Sequence, residues 1–334
     1  MGNSRNEITR ACADAVGTDQ YIELDEYLIC WPRRDETHPQ VEQCKRVRKR
    51  DGAVTVFALQ DAKIFRWTEC VGRGGKFFVL KRDLGQIARV DAETLEETMI
   101  CAVGKYPHHL ELVEGYLYYS TKKERPLIVR VDLADGTQAG MDDEGEYMDL
   151  KVDAWLPVGQ MFYGMHDDFD REESVLYRID MDSFRAEKLS VTPFSLERFW
   201  EKPELLKESF TFERDGLLVT VVSQSRHSDS YYELADPARP GVIERRHLCG
   251  PMHYIWFAGG QIYLAGMEDA MTIRSFDPVT GEGRVLASHT HCFAQDEFGH
   301  ITGERPQVVG EWLYYWDCEK GERVRIEILR AAGS

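Results

Sequence analysis

Histidine residues concentrate at three points of the sequence. His108 and His109 follow a Tyr-Pro pair, His253 follows a Gly-Pro-Met segment, and His289 and His291 flank a single threonine. On an extended chain, side chains two residues apart point to the same side, so His289 and His291 could chelate one metal ion. His253 could supply the third ligand of an open site, at which a bound water is activated or a substrate carboxylate is polarised. We therefore take His253, His289 and His291 as candidate metal ligands.

The alternative is that these histidines are ordinary polar loop residues whose imidazoles are satisfied by nearby backbone carbonyls. The chain holds ten histidines, and histidine tolerates the backbone geometry of turns. Several would therefore fall near the starts of repeat units without any chemical role. The sequence requires no cofactor, and a divalent metal ion is the one that it could hold.

A second candidate set combines tryptophan and arginine. A tryptophan ring offers a stacking surface, and an arginine pairs with a carboxylate or phosphate through two hydrogen bonds, so this set could hold a small anion or an aromatic peptide side chain. The candidate ligand-binding residues, which include one histidine, are Trp31, Arg33, Arg66, Trp67, His108, Trp155 and Arg305. The alternative is structural: tryptophan packs between repeat units and arginine forms salt bridges.

Several catalytic signatures do not occur in the sequence. It has no P-loop, no Rossmann glycine fingerprint, no G-x-S-x-G elbow and no H-E-x-x-H pair. This argues against dinucleotide chemistry, phosphoryl transfer and a standard serine hydrolase. The acidic stretch 166–173 spaces its carboxylates like some calcium loops but lacks their glycine, so we interpret it as a solvated hairpin tip.

The composition of the chain bears on its partners and its location. The net charge of −17 disfavours nucleic acid and anionic membranes as partners, because a phosphate binder needs a cationic surface. The basic run 45–50 suits the exposed face of a strand. The sequence has neither an apolar stretch of bilayer length nor an apolar signal core, and its eight cysteines are scattered. We predict a cytoplasmic protein with reduced, mostly buried thiols.

The candidate residues must be positioned by a sequence repeat, which is the strongest pattern in the chain. Each copy has an aromatic apolar strand, a polar turn, an alternating strand that ends near an aspartate, and a tight turn. The clear copies pair 76–80 with 87–91, 116–120 with 127–132, 161–164 with 176–182, 261–264 with 272–277, and 312–316 with 324–328. Weaker copies pair 27–31 with 44–48 and 217–221 with 230–234. Their spacing of about 40 to 55 residues fits a four-stranded blade.

We therefore predict that residues 1–334 form one all-β domain, a seven-bladed β-propeller of four-stranded antiparallel blades, with six blades as the alternative. The expected blades are approximately 18–60, 61–104, 105–150, 151–192, 200–250, 251–288 and 289–330, the last completed by residues 6–14. A strand at 8–13 would close that blade and remove its free sheet edge. A short helix is expected within 194–207. In such a fold the loops that enter the innermost strands surround a channel mouth, where most candidate residues fall.

The repeat resembles that of low-density-lipoprotein-receptor-type propellers. An aromatic strand followed by I/V-x-R-x-D-x-x-x-G carries the resemblance at 76–91, 116–136, 161–182, 262–281 and 312–327. The resemblance implies the propeller fold and says little about function. In that family the aromatic strand ends in Trp-Thr-Asp and the propellers are secreted and six-bladed, whereas two of the strands here end in Tyr-Ser-Thr and Tyr-Trp-Asp.

The segment 288–293 is similar to a segment of the oligogalacturonate lyases, propeller enzymes that use a histidine-bound metal near the channel mouth. That similarity implies a metal site at His289 and His291, and no second motif of the family matches.

Three functions follow as hypotheses. The leading one is a non-catalytic module that binds a protein, a peptide or a small ligand at the channel mouth. The first alternative is a metal-assisted lyase or hydrolase that uses His253, His289 and His291. The second is an acidic inhibitor or immunity-type protein that presents its surface to a basic partner, which predicts salt-sensitive association.

Overall fold

A computed structural model describes residues 7–31, 43–59, 70–104, 107–121, 128–140, 155–168, 171, 173–193, 208–223, 229–239, 242–250, 253–258, 260–266, 271–295, 301–302 and 306–328. The chain divides into two compact units, one of Met1–Asp142 with His291–Ser334 and one of Asp143–Thr290. The predicted helix within 194–207 lies outside the described residues. Among the described helices, none has the length and apolar character needed to span a membrane.

The first unit contains blades 1, 2, 3 and 7. Each sheet is antiparallel, and its strands run in chain order from the innermost to the outermost. Blade 1 is β1 (Gln20–Glu23), β2 (Tyr27–Trp31), β3 (Cys44–Arg48) and β4 (Val54–Phe57); blade 2 is β5 (Cys70–Arg73), β6 (Lys76–Lys81), β7 (Gln86–Asp91) and β8 (Glu97–Ala102); blade 3 is β9 (Pro107–Val113), β10 (Tyr116–Thr121), β11 (Ile128–Asp132) and β12 (Gln138–Gly140). A helix, α1 (Arg10–Val16), precedes blade 1, and a short 3-10 helix (Arg82–Leu84) joins β6 to β7.

The second unit contains blades 4, 5 and 6, again with four antiparallel strands each. Blade 4 is β13 (Trp155–Val158), β14 (Met161–Asp168), β15 (Glu173–Asp180) and β16 (Ala186–Pro193); blade 5 is β17 (Glu208–Arg214), β18 (Leu217–Ser223), β19 (Ser230–Ala235) and β20 (Ile243–Cys249); blade 6 is β21 (His253–Ala258), β22 (Gln261–Gly266), β23 (Ile273–Phe276) and β24 (Gly283–Ala287).

Blade 7 returns to the first unit. A two-stranded hairpin, β25 (Ala294–Gln295) and β26 (Ile301–Thr302), precedes its sheet of β27 (Gln307–Val309), β28 (Trp312–Asp317) and β29 (Glu322–Glu327). The predicted fold class is therefore confirmed: the chain is an all-β propeller of seven antiparallel blades. The two weak copies, blades 1 and 5, have four strands, as blades 2, 3, 4 and 6 do.

The second strand of a blade is buried on both faces, because its alternate side chains pack against different neighbours. In β6, Phe77 belongs to a core cluster with Ile29 of blade 1, whereas Phe78 belongs to a cluster with Leu117 of blade 3. This explains why the aromatic strands of the repeat are apolar at consecutive positions instead of alternating. All eight cysteines are free thiols and seven are buried, as expected.

The aspartate of the repeat closes the turn after the third strand. In blades 2 to 6 its carboxylate accepts backbone N–H groups two or three residues further on, at Asp91, Asp132, Asp180, Asp236 and Asp277. In blade 6, Gly281 adopts a left-handed backbone (φ 79°) and donates its N–H to the carbonyl of Asp277. Glycine adopts this backbone at least cost, which accounts for the D-x-x-x-G pattern.

The predicted strand at 8–13 is wrong, because this segment forms α1. The side chain of Thr9 caps the helix by accepting the backbone N–H of Cys12, which satisfies an otherwise free donor of the first turn. Helical spacing then brings Cys12, Ala13 and Val16 to one buried face, which packs in a core cluster that joins blades 1 and 7. The segment does reach blade 7, but as a helix, and the described part of that blade has three strands.

Candidate functional site

For most of the predicted site residues, the structure describes either the backbone alone or nothing at all. Arg33, Arg66, Trp67 and Arg305 lie outside the described residues. His108, Trp155 and His253 belong to the first strands β9, β13 and β21, and their side chains are not described. Their roles in binding therefore stay predictions.

Trp31 is the one tryptophan of the predicted set with a described side chain. It ends β2, is 2% exposed, and belongs to the core cluster between blades 1 and 2. Its indole N–H donates to Oε1 of Gln20 at 2.8 Å. In this structure Trp31 therefore serves packing between blades, and a stacking role toward a ligand stays a prediction.

The predicted extended geometry of the H-x-H segment is wrong. His289 has φ 56° and His291 has φ 42°, so both adopt a left-handed backbone, which is uncommon for residues other than glycine although histidine takes it more often than most. The two imidazoles are therefore not placed by strand alternation. His289 is exposed.

In the second unit, Thr290 anchors this segment. Its backbone N–H and its hydroxyl both donate to the carbonyl of Met271, at 3.1 and 2.6 Å, and its side chain is fully buried. Met271 also has a left-handed backbone, at φ 39°.

In the first unit, His291 lies beside the turn that joins β28 to β29. Its Nε2 lies 3.0 Å from Oε2 of Glu319, and its carbonyl accepts the backbone N–H of Cys318 at 2.9 Å. The imidazole is 41% exposed and the carboxylate 68%. Because antiparallel strands alternate in direction, this turn lies at the end of blade 7 where its first strand begins. We call His291 and Glu319 the His291 pair.

A buried aspartate supports the turn beneath the pair. The side chain of Asp317 is fully buried, and its Oδ1 accepts the backbone N–H groups of Glu319 and Lys320 at 3.1 and 3.0 Å. Its Oδ2 lies 3.0 Å from Nζ of Lys320. The backbone of Glu319 is thus held in the turn by the hydrogen bond from its own N–H to Asp317.

The hydrogen bonds and charges around Asp317 shift the pKa values of Asp317 and Tyr315. Burial alone would raise the pKa of Asp317, but the N–H groups and the ammonium of Lys320 outweigh burial and lower it. Burial, together with the nearby charge of Asp317, raises the pKa of Tyr315. Asp317 therefore keeps its charge at neutral pH and Tyr315 keeps its proton.

A second histidine–carboxylate pair lies on the first strand of blade 3. His109 is buried, and its Nε2 lies 2.9 Å from Oε1 of Glu111. The register of β9 against β10 shifts between Tyr119 and Ser120, which leaves His109 as the extra residue of a β-bulge with φ 47°. Bulges redirect a side chain and are frequent beside functional sites.

The sequence prediction named His291, as a candidate metal ligand, and did not name its neighbours Glu319 and Asp317. The signal was present, since D-C-E-K-G at 317–321 repeats the D-x-x-x-G pattern of the other turns. Among the residues that the structure describes, no group of three or more histidine, cysteine, aspartate or glutamate side chains could hold a metal ion. The predicted set of His253, His289 and His291 is not tested by this, because the side chain of His253 is not described.

Comparison with known proteins supports the fold alone. No protein-family model matches the chain, and no curated protein matches it. An oligogalacturonate lyase in complex with manganese is 14% identical, with a TM-score of 0.53, over 96% of this chain and 88% of that one. Kuenenia stuttgartiensis hydrazine synthase is 13% identical, with a TM-score of 0.54, over 96% and 97%. The WD40 domain of Toxoplasma gondii coronin is 12% identical, with a TM-score of 0.50, over 82% and 72%.

Proposed function

We propose that the protein is a binding propeller whose protein, peptide or small-molecule ligand docks on the loops that lead into the first strands, with the His291 pair as a contact. One observation carries this proposal. The pair is solvent-exposed, yet it is held by a left-handed backbone at His291 and a buried aspartate below it.

Holding a polar pair in this way has a free-energy cost. A residue other than glycine in a sparsely populated backbone region costs on the order of 1–3 kcal/mol, and such residues cluster at functional sites. The N–H of Cys318 and the carboxylate of Glu319 fix His291 from two sides. Side chains that are already ordered lose less entropy on binding, so the pair is prepared to form hydrogen bonds with a ligand.

The proposal is tested with a matched control. His247 lies 3.4 Å from Asp229, and both side chains are well exposed, but this pair lies by the outer strand of blade 5. We would select peptides from a phage-displayed random library, and small molecules by thermal shift, on the wild-type protein. Hits should bind His291→Ala and Glu319→Ala at least tenfold more weakly and His247→Ala unchanged. Hits that bind all four proteins alike would contradict the proposal.

A metal-assisted lyase or hydrolase is the second candidate, and the 3.0 Å contact of an imidazole nitrogen with a carboxylate oxygen favours it. Both are metal-ligand types, and at least one more ligand would have to come from elsewhere. Calorimetric titration with Mn²⁺ and with Zn²⁺ separates the candidates: stoichiometric binding that is lost in both His289→Ala and His291→Ala supports the enzyme, and its absence supports the binding module.

The acidic-partner hypothesis rests on the net charge of −17. It predicts that the affinity for a basic partner falls steeply with salt. Repeating the binding measurements for each hit at two salt concentrations about one order of magnitude apart, on either side of physiological ionic strength, distinguishes this mode from docking at the His291 pair.

A further inference from the structure

Among the described residues, the outermost strand of each of blades 1 to 6 pairs with one strand alone, so its other side is a sheet edge. The free N–H and C=O groups of such an edge can pair with another chain, and proteins prevent this with charged side chains, β-bulges or very short strands. The outer strands of this protein differ in how far they carry these devices.

The outer strands β8, β16, β20 and β24 carry two devices each. All four show a register shift against the third strand. All four also contain charged residues, namely Glu97; Glu187 and Lys188; Glu244, Arg245 and Arg246; and Arg284. The outer strand of blade 3, β12, is protected by its length of three residues.

The outer strand of blade 1 has neither a charged residue nor a β-bulge, and with four residues it is longer than β12. β4 reads Val-Thr-Val-Phe, without a charged residue, and pairs with β3 in unbroken register. Val54 is 48% exposed and Val56 is 56% exposed, and Thr55 between them is exposed. No other described strand pairs with β4.

We propose that β4 pairs antiparallel with β4 of a second copy of this chain, across a two-fold axis at Thr55. The sequence Val54-Thr55-Val56 reads the same in both directions. In an antiparallel pair with Thr55 opposite Thr55, each Val54 therefore faces Val56 of the second copy. A two-fold interface requires this self-complementarity, and cross-strand pairs of β-branched residues stabilise sheets.

Charge favours this strand over other surfaces for self-association. Two chains of net charge −17 repel each other, but β4 is uncharged and the strand beside it is basic. Two cations of β3 are paired within the chain, since Lys45 lies 2.6 Å from Asp19 and Arg48 lies 2.8 Å from Asp51. The third, Arg46, lies beside Thr55 and donates to its hydroxyl at 3.2 Å. Because β4 itself is uncharged, no like charges lie directly opposite each other across the two paired β4 strands.

The dimer should be weak. Pairing two four-residue strands is a small contact beside the roughly 1,200 Å² that a stable interface buries. We expect the mean mass from sedimentation velocity to rise with protein concentration in the wild type. The variant Val56→Lys, which places an ammonium at the paired edge, should lose this rise and keep the circular dichroism spectrum and melting temperature of the wild type.

Crosslinking tests the register. In the variant Thr55→Cys, the introduced thiols of the two copies would face each other across the axis. Diamide would oxidise them to a disulfide by taking up two electrons and two protons. The matched control is Val285→Cys, on the bulged outer strand β24, where Val285 is 50% exposed. Thr55→Cys should form disulfide-linked dimers at least tenfold faster than Val285→Cys.

Three results would overturn the proposal. Equal crosslinking rates for the two cysteine variants would show that β4 is not the contact. A wild type that remains monomeric at all concentrations would show that β4 does not pair with a second copy. Dimerisation that is unchanged in Val56→Lys would place the interface on another surface.

Discussion

Blades 6 and 7 use the same turn in different places. Asp277 begins D-P-V-T-G and Asp317 begins D-C-E-K-G. In both, the carboxylate accepts two backbone N–H groups, and a left-handed glycine, Gly281 or Gly321, donates its N–H to the carbonyl of the aspartate. In blade 6 this turn joins the third and fourth strands, whereas in blade 7 it joins the second and third.

Because the turn joins different strands in the two blades, it has a different role in each. In blade 6, Asp277 lies 3.3 Å from the guanidinium of Arg214 in blade 5, so the turn links neighbouring blades. In blade 7, the turn lies at the other end of the sheet, where Asp317 supports the His291 pair. One local motif thus stabilises the scaffold in blade 6 and orders the candidate site in blade 7.

The two blades also differ at the outer edge. Blade 6 has β24 as its fourth strand, whereas in blade 7 the helix α1 lies beside the described strands. Asp14 of the helix accepts a hydrogen bond from the hydroxyl of Tyr314 at 2.8 Å and pairs with Arg325 of β29. The following predictions test these contrasts.

The largest effect is expected from breaking α1. The backbone N–H of Ala13 donates to the carbonyl of Thr9 at 3.0 Å, so Ala13→Pro removes this hydrogen bond and should lower the free energy of unfolding by about 3 kcal/mol. The control is Arg10→Pro at the first helical position, where proline is tolerated. It should change stability by less than about 0.5 kcal/mol.

Urea unfolding followed by tryptophan fluorescence measures both variants. Equal stability losses for the two prolines would mean that the segment is not held as a helix in solution. In that case the edge of blade 7 would be covered differently from this structure.

The helix α1 shows a signal that the sequence prediction overlooked. Thr9 is a favoured N-cap residue, and alanine, the best helix former, follows at 11, 13 and 15, whereas the strand predicted there came from how propellers usually close. Helical spacing also brings Cys12, Ala13 and Val16 into the core cluster shared by blades 1 and 7. Local propensity and packing therefore agree at this segment.

The strands themselves were predictable. Phe77 and Phe78 must both be buried, and an aspartate ends the next strand, so the local pattern alone defined the blade. The copy that pairs 312–316 with 324–328 also placed the turn at Asp317 between these two strands, as observed. The pattern could not predict the left-handed backbone at His291, whose carbonyl accepts a hydrogen bond from a turn more than 25 residues further on.

The second-largest loss of stability is expected from removing the carboxylates of the two turn aspartates, Asp317 and Asp277. Asp317→Ala leaves two backbone N–H groups without their charged acceptor and should cost about 1.5–3 kcal/mol. Asp277→Ala should cost a similar amount, because its carboxylate has a similar set of donors. Only Asp317→Ala should also weaken ligand binding at the His291 pair. If both variants bind the ligand equally well, the turn at Asp317 does not support the site more than the turn at Asp277 does.

The same variants have a defined pH dependence. Burial alone would raise the pKa of Asp277, but backbone N–H groups and Arg214 outweigh burial and lower it, as happens at Asp317. A lowered pKa adds stability that is fully present above the unfolded value of about 3.9 and is lost as pH falls through the folded value. The stability difference between the wild type and each alanine variant should therefore shrink below about pH 4.

The smallest effect is expected at the N-terminal cap of α1, the helix that lies beside the strands of blade 7 where blade 6 has a fourth strand. The side chain of Thr9 accepts the N–H of Cys12 and its hydroxyl donates to the carbonyl of Lys49 in blade 1 at 2.6 Å. Thr9→Ala should therefore cost about 1 kcal/mol through the lost cap, whereas Thr9→Asp restores the acceptor and should recover most of this loss. Because a strand has no cap to lose, recovery by aspartate is specific to the helix. If both variants lose the same stability, the hydrogen bond to Lys49 and not the helix cap holds the segment against blade 1.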